Sequence, residues 1–143
     1  MTSDLIIFSK TKELMTLSLI YLEKFPKKQQ FLVTMEIKKL INEIYQNLLR
    51  ANEEWLIVNG KVNQNRWQRR QDRQFQALTA LKLLDFYIEF SSQNKWISLK
   101  NQQNWSLKVL EVMKLTKAWI KSDLDRLGRQ KWVNMKKFIS GKA

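Results

Sequence analysis

The sequence contains almost none of the residues that turn a chain, because only three glycines and one proline occur among its 143 residues. Average usage would give about 10 glycines and about 7 prolines in a chain of this length. Sandwiches, barrels and Rossmann folds need many tight turns, so this scarcity argues against all three. Apolar residues recur instead at steps of three and four, which is the period of an amphipathic helix and disfavours β-strands. The sequence therefore predicts one all-α domain.

Four apolar stripes predict four long helices. The stripes cover residues 8–24, 28–57 and 67–90, and a fourth segment that begins after an N-cap at Ser98 and ends near Gly128. Pro26 separates the first two helices, because proline is tolerated only in the first turn of a helix. Asn59-Gly60 is predicted to stop the second helix, and residues 91–94 are predicted to form a loop.

The short links between these helices favour an up-down-up-down four-helix bundle over residues 1–128. An irregular all-α domain is the alternative. Residues 129–143 are a basic C-terminal extension, which we expect to be either a short fifth helix or an arm that orders on binding.

Six tryptophans are many for a chain of this size. Trp55, Trp105 and Trp119 lie on apolar stripes and are predicted to be core residues. Trp67 lies beside basic residues and is a candidate either for packing on the bundle or for stacking on a base, and Trp132, in the basic tail, is the better candidate for stacking.

The chain is strongly basic, with 26 lysines and arginines against 13 acidic residues, a net charge of +13 and a pI near 10.1. The excess is concentrated in two places. Residues 55–75 carry five basic side chains and one acidic side chain, and residues 98–143 carry eleven and three. Such an excess points to a polyanionic partner, with nucleic acid as the first candidate and an anionic membrane surface as the second.

The candidate nucleic-acid-binding residues form two ridges and a continuation. Arginines at helical spacing make the first ridge and lysines the second, and further basic residues extend the charge toward the C-terminus. They are Arg66, Arg69, Arg70 and Arg73, then Lys114, Lys117 and Lys121, then Arg126, Arg129 and Lys131. Acidic residues are scarce at helical spacing from these side chains, so we expect their charge to be available to phosphates. Replacing the four arginines by alanine is predicted to weaken RNA binding and to leave helicity intact.

The residue types that are missing exclude several chemistries. The chain has no cysteine and no histidine, which rules out disulfides, cysteine-based zinc sites and histidine general bases. We expect no catalytic residue, no metal site and no cofactor. No basic region precedes the short apolar run at residues 5–8, and no apolar stretch approaches the ~20 residues that span a bilayer, so the expected location is the cytoplasm.

Five short motifs, in order along residues 4–122, resemble one known family. The N-terminal motif is Asp-Leu-x-Ile-Phe, the second is a Lys-Phe-Pro-Lys turn with a trailing aromatic residue, and the others lie near the end of helix two, in helix three and in helix four. The matching residues are Asp4-Leu5-Ile6-Ile7-Phe8; Lys24-Phe25-Pro26-Lys27 with Phe31; Ala51, Asn52 and Lys61; Leu78, Leu81, Lys82 and Leu84; and Glu111, Lys114, Leu115 and Trp119. The chain thus resembles the accessory variability determinants of diversity-generating retroelements. That family is related to four-helix-bundle proteins encoded in intervening sequences of large-subunit ribosomal RNA genes.

The resemblance implies a four-helix bundle that assembles as a barrel-shaped homopentamer. It also implies that the protein binds the reverse transcriptase of the retroelement and its template RNA, with cDNA as a further ligand, and supports error-prone cDNA synthesis without catalysis of its own.

Two alternatives stand beside this reading. The first is a structural oligomeric adaptor that docks on a protein partner without binding nucleic acid. The second is a membrane-surface binder that uses the amphipathic basic segment over residues 126–142.

Overall fold

The computed structural model describes the backbone of residues 3–27 and 31–139, and the side chains of residues 6–27 and 31–128. These described residues form four α-helices and one short β-hairpin. The helices are α1 (Ser3–Leu22), α2 (Phe31–Glu53), α3 (Gln64–Gln93) and α4 (Leu99–Ile139), and the hairpin strands are β1 (Ile57–Val58) and β2 (Lys61–Val62).

Consecutive helices pack side by side, and α4 closes the arrangement by packing on α1 as well as on α3. Each helix contributes a buried apolar stripe to one continuous core, with Leu14 from α1, Ile44 from α2, Leu84 from α3 and Val109 from α4 at its centre. Each such side chain contributes roughly 1.5–3 kcal/mol through removal of its surface from water. The predicted all-α bundle is confirmed.

The second helix ends earlier than predicted, at Glu53 instead of residue 57. The chain then forms a hairpin in which Ile57 pairs with Val62 and Val58 pairs with Lys61. Asn59 and Gly60, at its turn, have φ angles of 53° and 75°. This left-handed pair is the geometry of a two-residue type I′ turn, which Asn-Gly adopts readily. The Asn-Gly signal therefore marks a hairpin turn and not a helix stop, and the prediction of no β structure is wrong at this point.

The third helix is longer than predicted at both ends. It begins at Gln64, where the Asn63 side chain accepts a hydrogen bond from the Arg66 backbone N–H at 3.1 Å and caps the helix. It continues through residues 91–93, which were predicted to be a loop. Ser91 is buried there, and its hydroxyl donates to the Tyr87 carbonyl at 2.7 Å, which satisfies a polar group that otherwise disfavours helix interiors.

The fourth helix begins as predicted, because the Ser98 hydroxyl accepts a hydrogen bond from the Asn101 backbone N–H at 3.1 Å. Its predicted end near Gly128 is wrong, since α4 continues to Ile139. One glycine costs a helix only about 1 kcal/mol relative to alanine, and the neighbouring leucine and arginine are good helix formers. The predicted contacts of Arg129, Lys131 and Trp132 fall outside the described side chains.

Within the described part of the chain, none of the helices combines the length and the apolar character that crossing a membrane requires.

Candidate nucleic-acid interface

The predicted arginine ridge of α3 does not form one exposed face, because Arg70 points into the bundle. Its side chain is only 9% exposed, and its guanidinium binds Asp123 of α4 in a bidentate pair, with Nε–Oδ2 at 2.7 Å and Nη2–Oδ1 at 2.8 Å. Its Nη1 donates to the Glu54 carbonyl at 3.2 Å, just beyond α2. Arg70 thus joins α3 to α4 and to the end of α2, and its prediction as a phosphate contact is wrong.

Asp123 is the acceptor at the centre of this buried cluster. Besides Arg70, its Oδ2 accepts from the Gln74 side chain at 2.9 Å, and its Oδ1 accepts a longer bond of 3.4 Å from Arg126. The Arg70 guanidinium also lies 4.8 Å from the ring centre of Trp119, a cation–π distance. A buried pair is tolerated only when its remaining polar atoms find partners, and the carboxylate of Asp123 accepts four hydrogen bonds from three side chains.

The other arginines of α3 also have neighbours. Arg69 donates through Nε to Glu54 Oε1 at 2.9 Å. This hydrogen bond holds the pKa of Glu54 below its ordinary value of 4.5, against the effect of partial burial. Arg73 makes long contacts with the side chains of Asn47 and Gln76, at 3.5 and 3.3 Å, and Arg66 is half-buried.

Helical spacing alone could not predict these carboxylate partners of the arginines. Glu54 precedes Arg69 by 15 positions and Asp123 follows Arg70 by 53, so the fold alone brings them together. The expectation that the arginine charges are not neutralised within the chain is therefore wrong for Arg69 and Arg70.

The lysine ridge of α4 has the opposite character. Lys114, Lys117 and Lys121 are all exposed and share one side of the helix, as their spacing predicts. Among the described residues, no carboxylate lies within ion-pair distance of any of the three ammonium groups. These three charges face solvent and can attract an anionic strand.

The lysine that precedes this ridge is used differently. Lys108 donates to Glu111 at 2.9 Å and to Glu13 of α1 at 3.0 Å, and Lys10 of α1 lies 3.2 Å from Glu111. Hydrogen bonds to Glu111 and then to Glu13 raise the pKa of Lys108, and the same contacts lower the pKa of both glutamates. This balanced network ties α1 to α4 and contributes no surplus charge.

The outward side of α4 changes along its length. Before Lys114 it carries the exposed leucines Leu99, Leu107 and Leu110, and from Lys114 to Lys121 it carries the lysines. A groove of about 460 Å³ between α3 and α4 lies beside these leucines, with Asp85 and Met113 also on its walls. The helix thus presents exposed leucines among polar side chains before Lys114, and lysines from Lys114 onward.

Two of the three tryptophans that were predicted to be core residues are buried, and the third, Trp55, is exposed. The predicted burial of Trp105 and Trp119 is confirmed, and the Trp105 indole donates to the Ser18 hydroxyl at 2.8 Å. Trp55 is 67% exposed, so its prediction as a core residue is wrong. The apolar period placed it on α2, but α2 ends at Glu53, and Leu56 instead turns inward.

Within the described residues, no three acidic side chains come close enough together to hold a metal ion.

No protein-family model matches the sequence, and no curated protein matches it at a significant level. The fold is similar to the crystal structure of a protein of unknown function from the S23 ribosomal protein family of Bacteroides thetaiotaomicron VPI-5482. The TM-score is 0.69 and the sequence identity 15%, over 84% of this chain and 99% of that chain. At this identity the similarity shows a shared helical-bundle fold and nothing finer.

Proposed function

We propose that the protein is a non-catalytic, RNA-binding accessory subunit of a reverse transcriptase, which supports mutagenic cDNA synthesis from a template RNA in a diversity-generating retroelement. The observation that carries the RNA-binding part is the lysine ridge. Lys114, Lys117 and Lys121 stand exposed on a rigid helix, and among the described residues no carboxylate neutralises them.

The mechanism follows from the counterions of the nucleic acid. Each lysine that neutralises a phosphate releases a condensed counterion, and this release drives binding without reading sequence. A helix holds its ammonium groups at fixed spacing, so the strand is also held in a fixed register. The protein in this way positions a template for the active site of the polymerase.

The identity of the partners rests on the sequence motifs. The five motifs that resemble accessory variability determinants support a reverse transcriptase and its template RNA as partners, with cDNA as a further ligand, and a homopentamer as the assembly. The fold shared with a member of a ribosomal protein family is compatible with this proposal. We propose the cytoplasm as the place of this activity.

The salt dependence of RNA binding tests the electrostatic mechanism. Fluorescence anisotropy of a labelled single-stranded RNA, measured from low to high salt, is expected to give a slope of about −4 to −5 in log affinity against log salt for about six neutralised phosphates. A slope near zero contradicts the proposal.

Co-purification with the reverse transcriptase encoded beside the gene tests the proposed protein partner. A neighbouring pair of near-identical template and target repeats would support the assignment to a retroelement.

A second function is favoured by the exposed leucines of α4. Leu107 and Leu110 are exposed beside the α3–α4 groove, and Phe86 of α3 is exposed as well. Exposed apolar groups of this kind suit a protein partner, as expected for a structural oligomeric adaptor. The adaptor is favoured if the purified protein binds its partner but does not shift labelled RNA at low salt.

A further inference from the structure

A pocket of about 400 Å³ lies where the chain leaves α2 for the hairpin and passes beside α4. Its lining combines three kinds of group: an exposed aromatic ring with apolar neighbours, a carboxamide, and two arginines. The residues are Asn52, Trp55, Leu56, Ile57, Arg70 and Arg126. Its volume lies at the lower end of the roughly 300–1,000 Å³ typical of small-ligand sites.

Trp55 contributes an exposed aromatic ring to this pocket. Of the five tryptophans whose side chains the structure describes, Trp55 is the one that is mostly exposed, at 67%. The neighbouring Leu56 is 5% exposed, so the chain turns an aliphatic side chain inward and leaves the larger aromatic one in water. The ring therefore offers a flat apolar face to a ligand.

The polar groups of the pocket are also available. Arg126 is 45% exposed, and its contact with Asp123 is a single bond of 3.4 Å, because Arg70 and Gln74 take the shorter bonds to that carboxylate. Its remaining N–H groups are donors for a phosphate. The Asn52 carboxamide, which forms no hydrogen bond to another described side chain or backbone group, offers both a donor and an acceptor.

Arg70 makes one wall of the pocket rigid. All three of its nitrogens are engaged with Asp123 or with the carbonyl of Glu54, so it forms a fixed wall and is not a ligand-binding group. The same bonds hold the chain at residue 54 against α4. Trp55 and Arg126 thereby both line one pocket whose wall is held in place by these bonds.

We propose that this pocket binds one unpaired nucleobase of a single-stranded nucleic acid. The base stacks on Trp55, its edge bonds to the Asn52 carboxamide, and the adjoining phosphate binds Arg126. A base in a duplex is covered on both faces by its neighbours, so the pocket selects single strands. This inference rests on the proposed nucleic-acid binding and adds a base-stacking site to it.

The pocket is separate from the lysine ridge. Arg126 follows Lys121 by five residues on the same helix, which is about 7.5 Å along the axis and about 140° around it. A strand bound at both places must therefore pass around α4. The lysines supply attraction that depends on salt, and Trp55 supplies a contact that does not.

The test compares Trp55→Ala with wild-type protein on two labelled RNAs of equal length, one single-stranded and one duplex, by fluorescence anisotropy. We expect Trp55→Ala to weaken binding of the single strand by about 5- to 100-fold, as the loss of one stacked base does. Duplex binding and the salt slope are expected to stay unchanged. Trp55→Phe keeps an aromatic face and is expected to retain most of the affinity.

Phe31→Ala is the matched control, because Phe31 is 68% exposed and lies at the other end of α2. It is expected to bind both RNAs as wild type does. If Trp55→Ala binds the single strand as tightly as wild type, or loses single strand and duplex equally, the base pocket is overturned while the proposed function stands. If wild-type protein binds neither RNA, the proposed function fails first.

Discussion

The arginines of α3 and the lysines of α4 both recur at helical spacing, but they have opposite roles. Arg69 and Arg70 are paired with carboxylates, and Arg70 is buried against Asp123. Lys114, Lys117 and Lys121 are exposed, with no carboxylate of the described chain in reach. Two basic ridges that look alike in sequence thus divide into one that holds the bundle together and one that faces solvent.

The side chains themselves explain the division. The planar guanidinium presents two parallel donors that match a carboxylate, so arginine can be buried in a bidentate pair with little loss of hydrogen bonding. The lysine ammonium is compact and strongly hydrated, so it resists burial and acts best as a point charge at the surface. A count of net charge treats the two ridges as equal, although they differ in what they can bind.

The largest effect is expected from breaking the buried pair. Asp123→Asn or Arg70→Ala leaves one charged or polar group buried without its partner, so we expect the free energy of unfolding to fall by about 3–5 kcal/mol. Chemical denaturation monitored by circular dichroism measures this. Binding of duplex RNA, which does not use the pocket beside Arg70, is expected to change little at a temperature where both proteins are folded.

Arg66→Ala serves as the control for the arginine ridge, since Arg66 is half-buried and makes no side-chain hydrogen bond to another described residue. It is expected to change the free energy of unfolding by no more than about 0.5 kcal/mol. If Arg70→Ala is as stable as Arg66→Ala and weakens RNA binding more, the assignment of Arg70 to the structure is wrong.

The sequence was sufficient to predict the bundle and the ridge of α4. Both follow from local periodicity: apolar stripes define the buried sides of the helices, and the spacing of Lys114, Lys117 and Lys121 defines a shared side. The N-cap at Ser98 follows from the chemistry of one residue. Such features need no knowledge of what lies across the bundle.

The roles of Arg70 and Trp55 could not be predicted in this way. Asp123 lies 53 positions from Arg70, so their pairing depends on how α3 and α4 pack. The exposure of Trp55 depends on where α2 ends, and the apolar period continued past Glu53 into a hairpin. Element ends and long-range polar pairs are tertiary properties, and they decide most of the candidate site.

The next effect in size concerns the lysine ridge. Replacing Lys114, Lys117 and Lys121 together by glutamine is expected to reduce the affinity for single-stranded RNA about 100-fold at 0.1 M salt, because each lost phosphate contact removes about 0.7 from the salt exponent. The slope of log affinity against log salt is expected to become shallower by about 2, and the affinities of variant and wild type should converge as salt approaches 1 M.

The matched control for this triple variant removes three positive charges at exposed lysines outside the ridge. Lys12, Lys38 and Lys82 are exposed and lie on α1, α2 and α3. Replacing these three by glutamine gives the same net charge without touching the ridge, so most of the affinity should remain. Equal losses in the two triple variants would mean that net charge, and not the ridge on α4, determines binding.

The smallest effect is a pH dependence of the Arg69–Glu54 pair. The hydrogen bond from Arg69 lowers the pKa of Glu54 in the folded protein below 4.5, so the pair stabilises the fold at higher pH and this stabilisation is lost as pH falls through the folded pKa. Wild type is therefore expected to be slightly more stable than Glu54→Gln at pH 6, and the difference should shrink toward zero as the pH is lowered to 3. Denaturation midpoints measured across this range report the difference.

The control is Glu36→Gln, which removes an exposed carboxylate that makes no ion pair with a described residue. If the stability difference between wild type and Glu36→Gln narrows with falling pH as much as the difference between wild type and Glu54→Gln, the Arg69–Glu54 pair is not the cause. Arg69 would then resemble the solvent-facing lysines and not Arg70.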